Sequence, residues 1–190
     1  MLQDLADRAR GGDHAAFAEL VPMVVGRLAA VARLILHDEH AAQDAVQDAL
    51  VDAWRDIRGL RDPERVEAWL YRILVRTCRD CARANRRRAL LELPGEVADL
   101  PRGADAIAQL PGWDLETRDR LERALARLPA DQRAILVITY YLDLPLAEGA
   151  HALSIPIGTM KSRLNRARLA LRAALEADDR AGMLLMGSAL

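Results

Sequence analysis

The sequence predicts an all-α protein of two small helical domains joined by a flexible linker, the second domain ending in a helix-turn-helix. Three observations predict it. Hydrophobic residues make up 52% of the 190 and are mostly Ala and Leu, while aromatics are only 4%, a balance that favours helices over sheets. Apolar residues recur at spacings of three and four through long stretches in both halves. Between them, residues 89–112 lose that period and carry Pro94, Pro101 and Pro111 with Gly95, Gly103 and Gly112.

Taken in order, 13–36, 40–58 and 63–88 each predict a helix, with Pro22 and the G-L-R-D-P stretch at 59–63 as interruptions. They make up a first domain over 1–88, followed by a linker over 89–113. Helices resume at 115–128, 130–142, 146–153 and 157–176, a second domain over 114–178, and 179–190 is left as a short tail. Asp131, following Pro129, offers helix-start chemistry. In 63–88, Val66, Trp69, Leu70, Ile73, Leu74, Thr77 and Cys81 trace one apolar face. Cys78 and Cys81 form a lone C-x-x-C inside this helix. A zinc site needs two more ligands, and His14, His37, His40 and His151 show no paired spacing, so packing is favoured over a metal or redox role. No catalytic set converges either, so neither a cofactor nor an enzymatic activity is expected.

The first residues, M-L-Q-D-L-A-D-R-A-R, are acidic and lack the apolar core of a signal peptide. The longest uncharged apolar run, 134–142, falls far short of the roughly 18 residues that span a bilayer. A cytoplasmic protein without membrane insertion is expected. Its net charge of −1 does not favour nucleic acid, so any basic surface must be local. It is local. Residues 1–56 hold ten acids against five arginines, net −5, whereas 76–88 hold six arginines against Asp80, net +5. Residues 89–116 return to −5, with six acids against Arg102. Such segregation suggests separate surfaces for separate partners.

The strongest local signal is I-P-I-G-T-M-K-S-R-L-N-R-A-R at 155–168. Ser154, Pro156 and Gly158 separate a short helix from a longer one. On the longer helix, Met160, Leu164, Ala167 and Leu171 form an apolar stripe. Lys161, Asn165, Arg168 and Arg172 form a polar and cationic one, with Ser162, Arg163 and Arg166 between, and no carboxylate occurs from 149 to 175. Such a helix, following a short turn, predicts the DNA-reading half of a helix-turn-helix. The first domain has its own cationic stripe. Arg72, Arg76, Arg79, Arg83 and Arg86 lie 4, 3, 4 and 3 residues apart, a spacing that suits contact with a nucleic-acid backbone.

Two groups of motifs, in this order, resemble one family. D-H-A-A-F-A-E-L (13–20), A-A-Q-D-A-V-Q-D-A-L-V-D-A-W-R (41–55) and E-A-W-L-Y-R-I-L-V-R-T-C-R-D (67–80) resemble the first conserved domain of a bacterial RNA polymerase sigma factor. L-P-A-D-Q-R-A-I-L-V-I-T-Y-Y-L-D-L-P-L-A-E (128–148), followed by the I-P-I-G-T-M-K motif, resembles its last. The two-domain, extracytoplasmic-function class of the sigma-70 family is implied, over about 165 of the 190 residues.

The resemblance implies partners. Asp44, Gln47, Asp48 and Asp52 would dock on the β′ clamp helices of core RNA polymerase, and the second domain on its β flap. The arginine stripe and the loop at about 56–65 would engage the −10 promoter element, and the acidic linker would lie along the RNA path. Thr159, Lys161, Ser162, Arg163, Asn165, Arg166 and Arg168 would contact the −35 element: Lys161, Ser162, Asn165 and Arg166 at or beside base edges, the others on phosphates. A cognate anti-sigma factor is an expectation from the family alone. Four features bear on these roles. Gly149 stands where the family usually has a bulky aliphatic, Ser154 where it has a turn glycine, and Arg76 where Asn is common. Few aromatics are available to stack on a single strand, Trp54, Trp69 and Tyr71 being the nearest candidates, with Trp54 and Trp69 favoured as core. Two rivals remain, a sigma-like decoy for an anti-sigma factor and an ordinary helix-turn-helix repressor or activator.

Overall fold

The computed structural model describes residues 1–91 and 114–187, all helix and connecting turns among the described residues. The helices are α1 (Leu2–Arg10), α2 (His14–Leu36), α3 (Glu39–Asp56), α4 (Val66–Leu91), α5 (Leu115–Ala126), α6 (Ala130–Leu136), α7 (Leu146–Ala152) and α8 (Ile157–Gly187). Short 3₁₀ turns at Ile57–Gly59 and Pro63–Arg65 connect α3 to α4. Three residues of the expected linker, 89–91, complete α4, and the rest of it lies outside the described residues.

Aspartates start several of these helices. Asp13 accepts from the Ala16 amide at 3.1 Å, Asp38 from Ala41 at 2.8 Å and Asp114 from Thr117 at 2.7 Å, each satisfying a first-turn N–H that has no partner within the helix. The Ala16 amide, then Arg8, hold the Asp13 carboxyl below the usual range. Asp131 plays a different part. The residue before α6 is Pro129, and Asp131 lies in the first turn with its carboxylate turned to Arg79.

Three expectations need correction. Pro22 does not interrupt its helix: α2 runs through it, with Pro22 and Ala18 both exposed, so the Ala18 carbonyl that loses its amide partner faces solvent. α1 lay within residues assigned no helix, because nine residues rich in charge give a short pattern. Leu5, Ala6 and Ala9 nonetheless bury one face of it against the core. The last helix does not stop at 176 or give way to a tail at 179. α8 continues to Gly187, and Arg123 of α5 grips Asp178 at 2.8 Å while Arg120 pairs with Asp179.

α2 is the hub. Leu20, Val24, Leu28, Val31 and Ile35 are buried among α1, α3, α4 and α6. Its length and composition would also suit a membrane span, but in this fold the apolar side chains serve as core. The second half packs α6 and α7 on α8 through Ile135, Ile138 and Met160, each almost wholly buried. The two halves touch through α2–α6, α4–α6 and α4–α7, so one apolar core runs through the described residues.

Candidate nucleic-acid interface

The turn before α8 is built by backbone hydrogen bonds. α7 ends with Ile155 N–H donating to Ala150 O and Ser154 N–H to His151 O, each at 3.0 Å, which satisfies two carbonyls at the helix end. This closure requires a left-handed residue, and Ser154 provides it at φ 52°. α8 then starts beyond Pro156, whose carbonyl accepts from Met160 at 3.0 Å.

Gly149 sits at the crossing of α7 with the π-helical turn Val137–Tyr141 and α8. A Cβ placed there would lie 2.7 Å from Ile138 Cγ2 and 3.0 Å from Met160 Cε. The glycine is therefore a close-approach residue in a filled core, and no void stands in place of the family's aliphatic side chain.

α8 presents its polar side without cover. Met160 and Ala167 are fully buried, Leu164 and Leu171 half-buried, while Lys161, Ser162, Asn165, Arg166, Arg168 and Arg172 are exposed. Thr159 and Arg163 flank this face and are half-buried; the Ser162 hydroxyl donates to the Thr159 carbonyl at 3.0 Å. All seven residues expected at the −35 element thus lie on or beside one helix face.

The arginine stripe of α4 is not uniform. Arg76, Arg83 and Arg86 are exposed, and Arg72 is half-buried. Arg79, expected on a DNA phosphate, is only 8% exposed. Its Nε donates to Asp131 at 3.0 Å and its Nη1 to the Leu153 carbonyl at 2.7 Å. The reason is geometric. Residues 72, 79 and 86 lie seven apart along one edge of the stripe, 76 and 83 along the other, and the second half covers the first edge as far as Arg79.

Of the acidic row on α3, Asp44, Gln47 and Asp48 are exposed. Asp52 is half-buried between Arg76 at 3.7 Å and Arg55 at 4.0 Å. Beside this row lies an apolar groove that the sequence reasoning missed, lined by Val21, Val25, Val46, Leu50, Val51 and Trp54, with Gln47 on its rim. Its signal was available in the sequence as apolar residues beyond the core stripe: Val25 stays 37% and Val51 42% exposed.

Trp54 packs on His14 and Phe17 at centroid distances of 4.5 and 5.0 Å. Trp69, like Trp54, packs against the core, and it also lines a cavity of about 500 Å³ between the halves, with Arg61, Arg65 and Arg72 around it. Cys78 is fully buried, and that burial pushes its thiol up to about 12. Burial, then Asp44, Asp38 and Asp48, raise Cys81, so neither sulfur has the character of a reactive thiolate.

Comparison with known proteins agrees with this layout. Residues 20–88 match the sigma-70 region 2 family and residues 118–171 the sigma-70 region 4 family. The ECF RNA polymerase sigma factor SigM of Mycobacterium tuberculosis is 36% identical over 160 residues, 84% of this chain and 77% of the relative. CnrH of Cupriavidus metallidurans is 33% identical over 181 residues, 92% of this chain and 94% of the relative. Among solved structures, CnrH bound to the cytosolic domain of CnrY superposes with a TM-score of 0.60 at 29% identity, covering 93% of this chain and 98% of that one. The sigma factor RpoE of Bartonella quintana, in complex with the anti-sigma factor NepR, gives 0.62 at 28% identity, covering 85% and 98%.

Proposed function

This chain belongs to the sigma-70 family of bacterial RNA polymerase sigma factors, in its extracytoplasmic-function class, and from that membership we propose how its surfaces divide the work of starting transcription. The protein is a transcription initiation factor that brings core polymerase to promoters. It does so by binding, without catalysis, in the cytoplasm. Residues 1–88 form the polymerase-docking and −10 unit, and the second half, from residue 114 through the end of α8, the −35 unit.

α8 reads the −35 major groove. Lys161, Ser162, Asn165 and Arg166 reach base edges, where a bidentate arginine discriminates by about 1–3 kcal/mol. Thr159, Arg163 and Arg168 hold phosphates and set the register. Arg72, Arg76, Arg83 and Arg86, with the loop between α3 and α4, carry the −10 strand. Arg79 joins them only where the second half leaves α4. Asp44, Gln47, Asp48 and Asp52 meet the basic side of the β′ clamp helices, and the neighbouring apolar groove supplies the non-polar part of that contact. An anti-sigma factor is a further partner, a reading supported by RpoE, which is solved in complex with the anti-sigma factor NepR.

The observation that carries this reading is the exposed face of α8, free of carboxylates from residue 157 to 175, in the same chain as the region 2 match over 20–88. A helix-turn-helix repressor leaves that second match unexplained. Run-off transcription with purified core polymerase tests the reading: the chain should yield promoter-specific transcripts that core alone does not. Binding to core without transcripts would leave a decoy, and no binding to core would overturn the assignment of both α3 and α4.

A further inference from the structure

Two neighbouring residues at the start of α8 take no part in the protein's own packing. Ile157 is 48% exposed, although Ile155 just before it packs against the core and Met160 just after it is fully buried. Gly158 is exposed too, and its backbone is helical, without the positive φ that favours glycine. A Cβ built on it would meet nothing within 4 Å. It differs in this from Gly149, where a Cβ would run into Ile138. A glycine is a poor helix residue, and an isoleucine left in water forgoes its burial. Neither loss is recovered within the chain.

The surroundings indicate what the pair meets. Ile157 lies one turn before Lys161, and Gly158 one turn before Ser162, each on the same strip of the helix surface. Lys161 and Ser162 are both exposed, and no carboxylate occurs from 157 to 175. A helical side chain leans towards the N-terminus of its own helix, so Ile157 projects past the first turn. A recognition helix reads base edges with that end, and the thymine 5-methyl is the apolar group displayed in the major groove. We propose that Ile157 is a base-reading residue, packed on a thymine 5-methyl of the −35 element, and that Gly158 lacks a side chain so that the helix can approach closely enough for that contact. An isoleucine side chain offers no donor or acceptor, so its selectivity comes from the methyl group alone. Leu169 is also exposed, at 60%, but it lies about 18 Å further along the helix, away from the end that enters the groove. The proposal rests on the reading of α8 as the −35 helix.

The test uses the full chain assembled with core polymerase, and a −35 site that this holoenzyme selects from a randomised duplex library. Each thymine of the site is then replaced by deoxyuridine, which pairs alike and lacks only the methyl group. At one of these positions the wild-type holoenzyme should bind the deoxyuridine duplex about fourfold more weakly, the worth of one buried methyl group. Ile157→Ala should bind the two duplexes equally, while Leu169→Ala should keep the wild-type ratio. Gly158→Ala should melt no lower than the wild type, since alanine favours the helix, and yet lose affinity for the selected site. A selected site without thymine, indifference of the wild type to deoxyuridine at every position, or a ratio that survives Ile157→Ala would overturn the contact. So would a ratio lost in Leu169→Ala. Undiminished affinity in Gly158→Ala would overturn the close approach. A holoenzyme that binds promoters with no −35 preference at all would overturn instead the reading of α8 itself.

Discussion

α4 and α8 carry cationic rows of the same 4–3 spacing, and the rows have different fates. On α8, Lys161, Asn165, Arg168 and Arg172 all face solvent, since the packing partners α5, α6 and α7 lie on the opposite, apolar side. On α4 the row is divided. Arg76 and Arg83 stay outside, while Arg72 is half-covered and Arg79 becomes part of the contact between the halves. Spacing determines which residues share a face. Whether that face is free depends on an element more than fifty residues away in the chain.

Arg79→Ala set against Arg83→Ala separates the two fates most sharply. Removing Arg79 leaves the Leu153 carbonyl buried without its donor and Asp131 without its cation, and should cost about 2–4 kcal/mol. Arg83 is exposed, its 3.6 Å pair with Asp80 lies at the surface, and its loss should change stability by less than about 0.5 kcal/mol. Urea unfolding midpoints decide between them, and equal midpoints would mean that Arg79 is no more buried in solution than Arg83. On promoter DNA the contrast reverses across the two helices. Arg166→Ala should lose about 1–3 kcal/mol of discrimination between matched and mismatched −35 sequences. Arg83→Ala should weaken all sequences alike and reduce the salt slope by roughly one. Equal losses on matched and mismatched DNA would remove Arg166 from base readout.

Much of this was legible before any coordinates. The 3.6 period placed α2, α3 and α4 and the four later helices to within a few residues, apart from the end of α8, and the Ser154–Pro156 break located the turn. What escaped depends on distant neighbours. Nothing local to Arg79 says that Leu153 will offer it a carbonyl, and Arg133, with no carboxylate in its bonding set, has no pairing signature. Gly149 misled for a related reason. Taken alone it is a missing side chain, and only the positions of Ile138 and Met160 show that the space is already filled.

The two substitutions that mark the helix-turn-helix give opposite, smaller effects. Gly149→Ala gains about 1 kcal/mol in helix propensity but drives a methyl into Ile138, an overpacking cost of about 1–3 kcal/mol. Net destabilisation of roughly 1 kcal/mol is expected in thermal melts, and a stabilised variant would show that close packing does not select the glycine. Ser154→Gly should instead stabilise by about 1 kcal/mol, because a left-handed conformation strains any residue with a Cβ. A Tm that does not rise would mean that the serine side chain offsets its own strain.

The smallest effect is a pH dependence at the contact between the halves. His37 closes α2 at φ 55°, next to the two carbonyls that Arg133 grips. Burial, then the Arg133 charge, hold its pKa below the ordinary 6.5, so the folded chain favours the neutral ring. Burial also lowers Arg133, to about 10, which leaves it cationic at neutral pH. A histidine with a depressed folded pKa contributes stability that is complete above the unfolded value and is lost as pH falls from there towards the folded one. The wild type should therefore lose stability below about pH 6.5 faster than His37→Asn, whose side chain tolerates the same left-handed backbone without titrating. The half-exposed ring keeps this effect modest. Superimposable pH profiles for the two proteins would mean that the ring is solvated in solution and that Arg133 grips α2 without sensing it.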